Sequence, residues 1–155
     1  MRALIAIALG ATVLASAISA KQRHCTFRLH TEANVRDGEA FAMQLRSQFT
    51  GKSIVLQKSA TISEQDVVAF HPYPANDGTF GALFQLDEHG RLALDTVSVE
   101  RRGSALFAFV NRRLITELQI DRRISDGKVY LPSGLTAADI ESMRKEWPLI
   151  GQRKR

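Results

Sequence analysis

The sequence predicts one α+β domain, built as a mostly antiparallel sheet with two main helices packed on one face. A chain of 155 residues, 45% hydrophobic and 24% charged, has the size and composition of a single folded domain. Short segments in which apolar and polar residues alternate are separated by turn residues, as in antiparallel strands. Two further segments combine helical spacing of apolar residues with a capping residue in front.

The first residues predict export. Arg2 precedes a run over residues 3–20 that holds only Ala, Leu, Ile, Val, Gly, Thr and Ser. This is typical of a secretory signal peptide, over residues 1–20, with cleavage after Ala17 or Ala20 and delivery to the periplasm or cell envelope. The alternative is an uncleaved inner-membrane anchor through residues 3–20, because that run just spans a ~30 Å hydrocarbon core. Membrane contact is expected only in that alternative.

Residues 21–61 predict three N-terminal strands, over residues 25–32, around residues 41–45 and over residues 53–57. Cys25 is the only cysteine, so it has no partner for an intramolecular disulfide. It is either buried as a small apolar residue or open to pairing with another molecule.

The next two predicted strands cover residues 67–71 and 80–86. Pro72 and Pro74 are expected to end the first of them, because proline has no N–H group for the ladder. Asp87 can cap a helix over residues 88–97, with a buried face formed by Leu92, Ala93, Thr96 and Val97.

Residues 104–110 are apolar at nearly every position, which predicts a central strand with both faces covered. The dipeptide Asn111-Arg112 fits a two-residue hairpin turn into a strand that runs on to Ile120. A last strand, over residues 129–131, is expected to close at Pro132 and Gly134.

Thr136 and Asp139 form a capping box, so a second helix begins there. Ile140, Met143 and Trp147 then predict a stripe toward the core, and Pro148 ends the helix. The polar residues of this helix are expected to face water: Glu141, Arg144, Lys145 and Glu146. Residues 149–155 form a basic tail, read as a solvated end rather than a nucleic-acid patch.

Catalytic, cofactor and metal motifs are not found in the sequence. It has no Gly-rich phosphate loop, no nucleotide fingerprint, no zinc helix, no paired cysteines and no nucleophile elbow. We therefore expect no cofactor and no enzyme activity. A small periplasmic hydrolase centred on His71 is the alternative, since a histidine at a strand end can act as a general base if carboxylates converge on it.

Three arginine doublets stand near the ends of predicted strands: Arg101-Arg102, Arg112-Arg113 and Arg122-Arg123. If these strand ends meet, the six guanidinium groups form a partner-binding rim for acidic peptide segments or anionic head groups. Acidic residues lie nearby in the sequence, so a mixed, solvated surface is the alternative reading.

Four segments, within residues 62–147, resemble the periplasmic domain of SecD, the accessory subunit of the bacterial protein-export translocase. Residues 84–91 are a strand that runs through Asp87 and Gly90 into a helix, and residues 103–111 are a Gly followed by an apolar strand. Residues 120–127 are an Ile-containing strand with a Gly turn, and residues 133–140 are a Ser-Gly before a capped helix. The turn at Asn111-Arg112 departs from that family's Asp-Gly, and the family's membrane helices have no counterpart.

The resemblance implies the fold of that domain over residues 62–148 and a contact with extended polypeptide or with export-channel and envelope proteins. Together with the predicted signal peptide and the lack of a catalytic motif, this leads us to expect an exported, non-catalytic envelope protein. An anchored structural subunit of an envelope complex is a further alternative, beside the hydrolase.

Overall fold

Nine strands and two helices alternate along the part of the chain that the computed structural model describes, residues 23–33, 36, 38 and 40–152. The predicted signal segment and the last three residues of the basic tail lie outside these residues. In chain order the elements are β1 (Phe27–Thr31), β2 (Ala42–Arg46), β3 (Ser53–Gln57), β4 (Ile62–Ser63), β5 (Val67–Pro74), β6 (Phe80–Leu86), α1 (Glu88–Glu100), β7 (Ala105–Val110), β8 (Arg113–Gln119), β9 (Lys128–Leu135) and α2 (Ala137–Glu146). Neither α1 nor α2 has the length and apolar character needed to cross a membrane.

The strands pair in three antiparallel groups rather than in one sheet. One sheet has the order β4-β1-β7-β8, a second has the order β5-β6-β9, and β2 pairs with β3 alone. The α+β class with mainly antiparallel strands and two helices is confirmed.

The main core lies between the two larger sheets and the two helices. Phe27 of β1 stacks on Phe84 of β6 with ring centroids 4.3 Å apart, and the edge of Trp147 meets the same Phe84 ring at 6.1 Å. Leu94 brings α1 into this cluster. Each such side chain contributes roughly 1.5–3 kcal/mol by leaving water, so these contacts hold the sheets and helices together.

A second, smaller core covers the other face of β7. Leu106 and Ala108 point into the main core, whereas Phe107 packs with Leu56 and Leu114 under the β2-β3 hairpin. The prediction of a central strand with two covered faces is confirmed, because β7 pairs with β1 and β8 and is packed on both sides.

The predicted ends of two strands were wrong. Pro72 and Pro74 lie inside β5, where they stand opposite Ala82 and Phe80, and Pro132 lies inside β9. Both are outer strands of the three-stranded sheet, and an outer strand has one side whose N–H groups need no ladder partner. Proline therefore ends pairing on the outer side of these strands without ending the strand.

The outer side of β5 is covered by the chain's own residues 148–150. The Phe70 N–H donates to the Pro148 carbonyl at 3.1 Å, and the Ile150 N–H donates to the Phe70 carbonyl at 2.9 Å. This short parallel bridge follows directly after α2. It occupies the outer edge of β5 at Phe70.

Helix α1 begins at the predicted cap but buries a different face. The Asp87 carboxylate accepts from the Gly90 N–H at 2.8 Å, as a capping residue does. The buried residues are Gly90, Leu94, Val97 and Ser98. Leu92, predicted on the buried face, is half exposed. The helix packs instead through Gly90, where a Cβ would lie 2.8 Å from Asp66 Cβ.

Helix α2 has the predicted capping box and core stripe, with one correction at its end. Thr136 and Asp139 bond each other's backbone N–H groups, and Ile140, Met143 and Trp147 are buried. Glu146 does not face water as predicted. Its carboxylate is buried and accepts from the His24 N–H at 3.1 Å.

The hairpin turn at Asn111-Arg112 is confirmed. Both residues have positive φ, 49° and 66°, as a two-residue turn between twisted antiparallel strands requires. The Asn111 side chain accepts from the Thr26 N–H at 3.2 Å and donates to Asp139 at 3.0 Å, so the turn also fixes the start of β1 and of α2.

Candidate functional site

The structure brings two of the three arginine doublets together and separates the third. Arg101-Arg102 and residues 122–123 lie at the same end of the β7-β8 hairpin, where the Arg102 guanidinium donates to the Asp121 carbonyl at 3.1 Å. Arg112, in the turn, and Arg113, the first residue of β8, lie at the opposite end. Five residue steps of strand, at about 3.3 Å each, separate the two ends by roughly 17 Å. The six arginines therefore do not form one continuous rim.

A groove of about 590 Å³ opens beside the paired doublets. Its walls come from β8, β9 and the connection between them. The floor is apolar and the mouth is polar: the apolar lining is Leu83, Leu94, Leu106, Leu118, Ile120, Ile124, Val129 and Tyr130, and the polar lining is Gln119, Asp121, Arg122, Arg123, Ser125, Asp126 and Lys128. An apolar floor with a few polar groups at the rim is typical of binding sites, and this volume lies in their usual range.

The groove lies between two strand edges that lack a strand partner within the described part of the chain. β8 pairs only with β7, and β9 pairs only with β6. The two strands approach each other at Ile115 and Gly134, where a Cβ on the glycine would lie 3.1 Å from Ile115 Cγ2. An antiparallel continuation from that point would place Gln119 opposite Tyr130, but both residues line the groove instead.

The connection over residues 120–127 is fixed to α1, so the mouth of the groove has a defined shape. The Ile124 N–H donates to the buried Ser98 hydroxyl at 2.8 Å, and the Leu86 N–H donates to the Gly127 carbonyl at 2.8 Å. Arg123 forms two hydrogen bonds with the Asp95 carboxylate, and the nearby guanidinium lowers the pKa of Asp95. The Arg123 charge is therefore already matched.

The cationic groups left at the mouth are Arg122 and Lys128, both exposed. Within the described ranges, neither forms an ion pair with a carboxylate. Asp121 and Asp126 line the same groove. The mouth is thus a mixed charged surface, which is the alternative that the sequence left open, and its role as a partner-binding rim stays a prediction.

At the far end of the β7-β8 hairpin, Arg113 holds the beginning of α2. Its guanidinium pairs with the Asp139 carboxylate. Burial opposes ionisation of Asp139, but hydrogen bonds from Thr136 and Asn111 and the charge of Arg113 outweigh it and lower its pKa. Arg113 is thus engaged within the fold.

Two tyrosines form an aromatic wall next to the groove. Tyr73 and Tyr130 stack with ring centroids 5.2 Å apart, and Tyr130 also lines the groove. The Tyr73 ring lies over Gly81, where a Cβ would come within 2.3 Å of it, and its hydroxyl donates to the Leu131 carbonyl. Burial raises the pKa of Tyr73, and the neighbouring Tyr130 hydroxyl raises it further. Sequence reasoning missed this pair, since the two residues stand on strands far apart in the chain.

His71 lies exposed within β5, opposite Leu83. Within residues 23–33, 36, 38 and 40–152, its ring forms no hydrogen bond or ion pair with a carboxylate. The convergence of acidic groups that a general base would need is not present around it there.

A cluster of Asp66, Asp87 and His89 brings one ligand atom each within 4.8 Å of the others. The spacing in sequence gave no sign of it. His89 Nδ1 lies 2.7 Å from Asp66 Oδ1, Asp66 Oδ2 accepts from the Ser63 N–H, and Asp87 Oδ1 caps α1. These atoms hold the turn before β5 against the start of α1, which accounts for the cluster without an ion.

Cys25 is buried in the main core, which decides between the two sequence readings in favour of a small apolar side chain. Burial raises the pKa of its thiol to about 11. A thiol in this state is a poor nucleophile.

The architecture is similar to that of two solved structures. The fold matches the crystal structure of SecDF in its super-membrane-facing form, with a TM-score of 0.55 and 12% identity over 82% of this chain and 19% of that chain. It also matches a structure of the membrane component SecDF that enhances protein export, with a TM-score of 0.55 and 11% identity over 86% of this chain and 70% of that one. The fold is SecD-like. No family model and no curated protein matches the sequence.

The resemblance to a SecD periplasmic domain is therefore confirmed at the level of fold. The share of the chain matched by these structures is larger than residues 62–147, where the sequence resemblance lies. Identity this low carries the SecD-like fold and nothing further about activity.

Proposed function

We propose that this chain is an exported, non-catalytic envelope protein whose SecD-like domain binds extended polypeptide segments in the groove between β8 and β9. One observation carries the proposal: two strand edges without a strand partner among the described residues face an apolar groove at Gln119 and Tyr130. The polypeptide is either a chain in transit or an exposed segment of an export-channel or other envelope protein.

An extended peptide fits such a site by adding a strand to a sheet edge. Its backbone groups hydrogen bond to the edge, and its alternate side chains enter pockets along the floor. Leu118, Ile124 and Val129 supply an apolar surface for those side chains. The affinity then depends little on the peptide's sequence, which suits a protein that handles many chains.

The structural neighbours support the class of ligand. SecDF is a membrane component that enhances protein export, and exported chains are unfolded polypeptides. The exposed Arg122 and Lys128 at the mouth add attraction for acidic segments at low salt.

Photo-crosslinking tests the groove directly. A benzophenone amino acid is placed at Ser125, which lines the groove, and for comparison at Gln65, an exposed residue of the turn before β5. The probe is an unfolded, carboxymethylated polypeptide. We expect crosslinks from position 125 and few from position 65; equal yields from both positions would contradict a groove-specific interaction.

Two matched pairs of variants sharpen the test. Tyr130→Ser removes an exposed groove side chain and should weaken binding of the probe, whereas Val68→Ser, at an exposed position of β5, should not. Arg122→Gln should lower affinity at low salt only, and Arg112→Gln, at the far end of the hairpin, should leave it unchanged. Identical affinities within each pair would reject the site.

Export is tested separately by the intact mass of the chain isolated from the envelope. A mature chain that begins after Ala17 or Ala20 supports signal cleavage. A mass that retains residues 1–20 supports the anchored alternative instead.

A further inference from the structure

The segment that forms the β2-β3 hairpin and its flanks has an unusual charge pattern. Residues 40–63 contain no Asp or Glu and three basic residues, Arg46, Lys52 and Lys58. Two of them, Arg46 and Lys52, flank the loop that joins β2 to β3. All charged side chains of this segment are therefore basic.

The same hairpin exposes large aromatic side chains at its ends. Phe49 lies in the loop between the strands and is 67% exposed, and Phe41, just before β2, is 72% exposed. The strand residues Leu45 and Ile54 pack onto the smaller core beneath. The Phe49 ring is largely exposed, so the packing of the fold does not require an aromatic side chain at this position.

The loop holds Phe49 in a defined position. The Ser47 hydroxyl accepts from the N–H groups of Phe49 at 3.3 Å and Thr50 at 3.0 Å. The Arg46 guanidinium donates to the Gly51 carbonyl at 2.8 Å, and Gly51 has the positive φ that this closure needs. A ring presented by an ordered loop loses less conformational entropy when it binds.

We propose that this hairpin tip docks on an anionic membrane surface, with Phe49 entering the interfacial layer and Arg46 and Lys52 facing the lipid phosphates. Aromatic rings favour the depth of the head groups, and basic side chains gain from the negative surface potential. A single ring at an apex, between two cations and short polar residues, matches a lipid surface better than a protein interface, which needs a wider apolar patch.

The test places a reporter at the tip, so that residues 3–20 do not dominate the signal. The F49W variant of the full chain is mixed with vesicles of 70% phosphatidylcholine and 30% brominated phosphatidylglycerol, and tryptophan fluorescence is recorded. The matched control is V99W, at an exposed apolar residue of α1. Trp147 is buried and contributes the same background to both.

We expect quenching and a blue shift for F49W and neither for V99W. Replacing Arg46 and Lys52 by Gln in the F49W background should weaken vesicle binding by about fivefold per charge, and salt at several hundred millimolar should have a similar effect. Absence of quenching in F49W, equal quenching in V99W, or indifference to loss of both charges would overturn the proposal.

This inference does not depend on the groove. The F49W chain should bind the unfolded polypeptide as the unaltered chain does, because Phe49 does not line the groove. Vesicle quenching in a protein that does not bind the polypeptide, with or without the F49W change, would refute the proposed function alone. Polypeptide binding without vesicle quenching would refute the membrane contact alone.

Discussion

Gly90→Ala should destabilise the protein, against the usual effect of this change in a helix. Gly90 lies in the first turn of α1 and is buried. In an open helix interior, alanine is better than glycine by about 1 kcal/mol. Close packing at this position should reverse that order.

The magnitude follows from the space around the missing side chain. A Cβ on Gly90 would lie 2.8 Å from Asp66 Cβ and 3.1 Å from Leu86 Cβ, whereas carbon atoms in favourable contact are about 3.5–4.0 Å apart. Relief needs a shift of about 0.7–1.2 Å between Gly90 and Asp66, and the Asp87 N–H bond to the Asp66 carbonyl at 2.7 Å resists it. Overpacking of this kind costs about 1–3 kcal/mol. With a cost near the middle of that range, about 2 kcal/mol, and a propensity gain of about 1 kcal/mol, the free energy of unfolding should fall by about 1 kcal/mol.

Urea unfolding, followed by circular dichroism, measures this difference. The control is position 92 on the same helix, where Leu92 is half exposed, with Leu92→Ala and Leu92→Gly compared. Alanine should be the more stable of those two by about 1 kcal/mol. A Gly90→Ala protein that equals or exceeds the parent in stability would show that α1 is not held this closely to the strands.

Three further outcomes follow from the contacts described. The hydrogen bond to Asp66 raises the pKa of His89. The resulting stabilisation is therefore full below the ordinary histidine pKa and is lost as pH rises through the raised value. His89→Gln should make the free energy of unfolding depend less on pH between pH 5 and pH 8. Arg112→Gly should stabilise the hairpin turn by about 0.5–1 kcal/mol in urea unfolding, because glycine adopts its positive φ without strain. Cys25 should react with an aromatic disulfide reagent at pH 8 only after unfolding, because burial raises its pKa to about 11.

Each of these three predictions has a control variant or a result that would contradict it. His71→Gln replaces an exposed histidine that has no contact with Asp66; the same flattening in both variants would exclude the Asp66 contact as the cause. A stability loss in Arg112→Gly would mean that the arginine makes a contact worth more than the strain. Rapid reaction of Cys25 in the folded protein would place the thiol at the surface.

Local sequence signals predicted where the helices begin, whereas strand ends and the buried face of α1 depend on packing. The cap at Asp87 and the capping box at Thr136 marked both helix starts, since these depend on neighbours in sequence. The ends at Pro72 and Pro132 were misjudged because a proline's effect depends on whether its strand is at the edge of a sheet. The buried face of α1 was misjudged because a glycine, invisible to an apolar pattern, makes its closest contact.

The site was predictable only in part. Arginine doublets at strand ends were visible in the sequence, but which ends meet is set by strand order, and Arg112 proved to be remote from Arg102. The groove itself joins residues of β8 and β9 whose separation is a property of two sheets, not of either strand. Glu146 shows the same limit, since its burial depends on Arg23 and the His24 backbone at the other end of the described chain.

The position of β1 has a consequence for the order in which this protein assembles. β1 is an inner strand between β4 and β7, with Phe27 opposite Val110. Because that pairing closes a loop of most of the domain, it costs chain entropy and forms slowly. A chain that emerges N-terminus first cannot pair β1 with β7 until residue 110 is free, and it cannot complete its four-stranded sheet until residue 119 is free. Until residue 110 emerges, β1 therefore stays unpaired with β7.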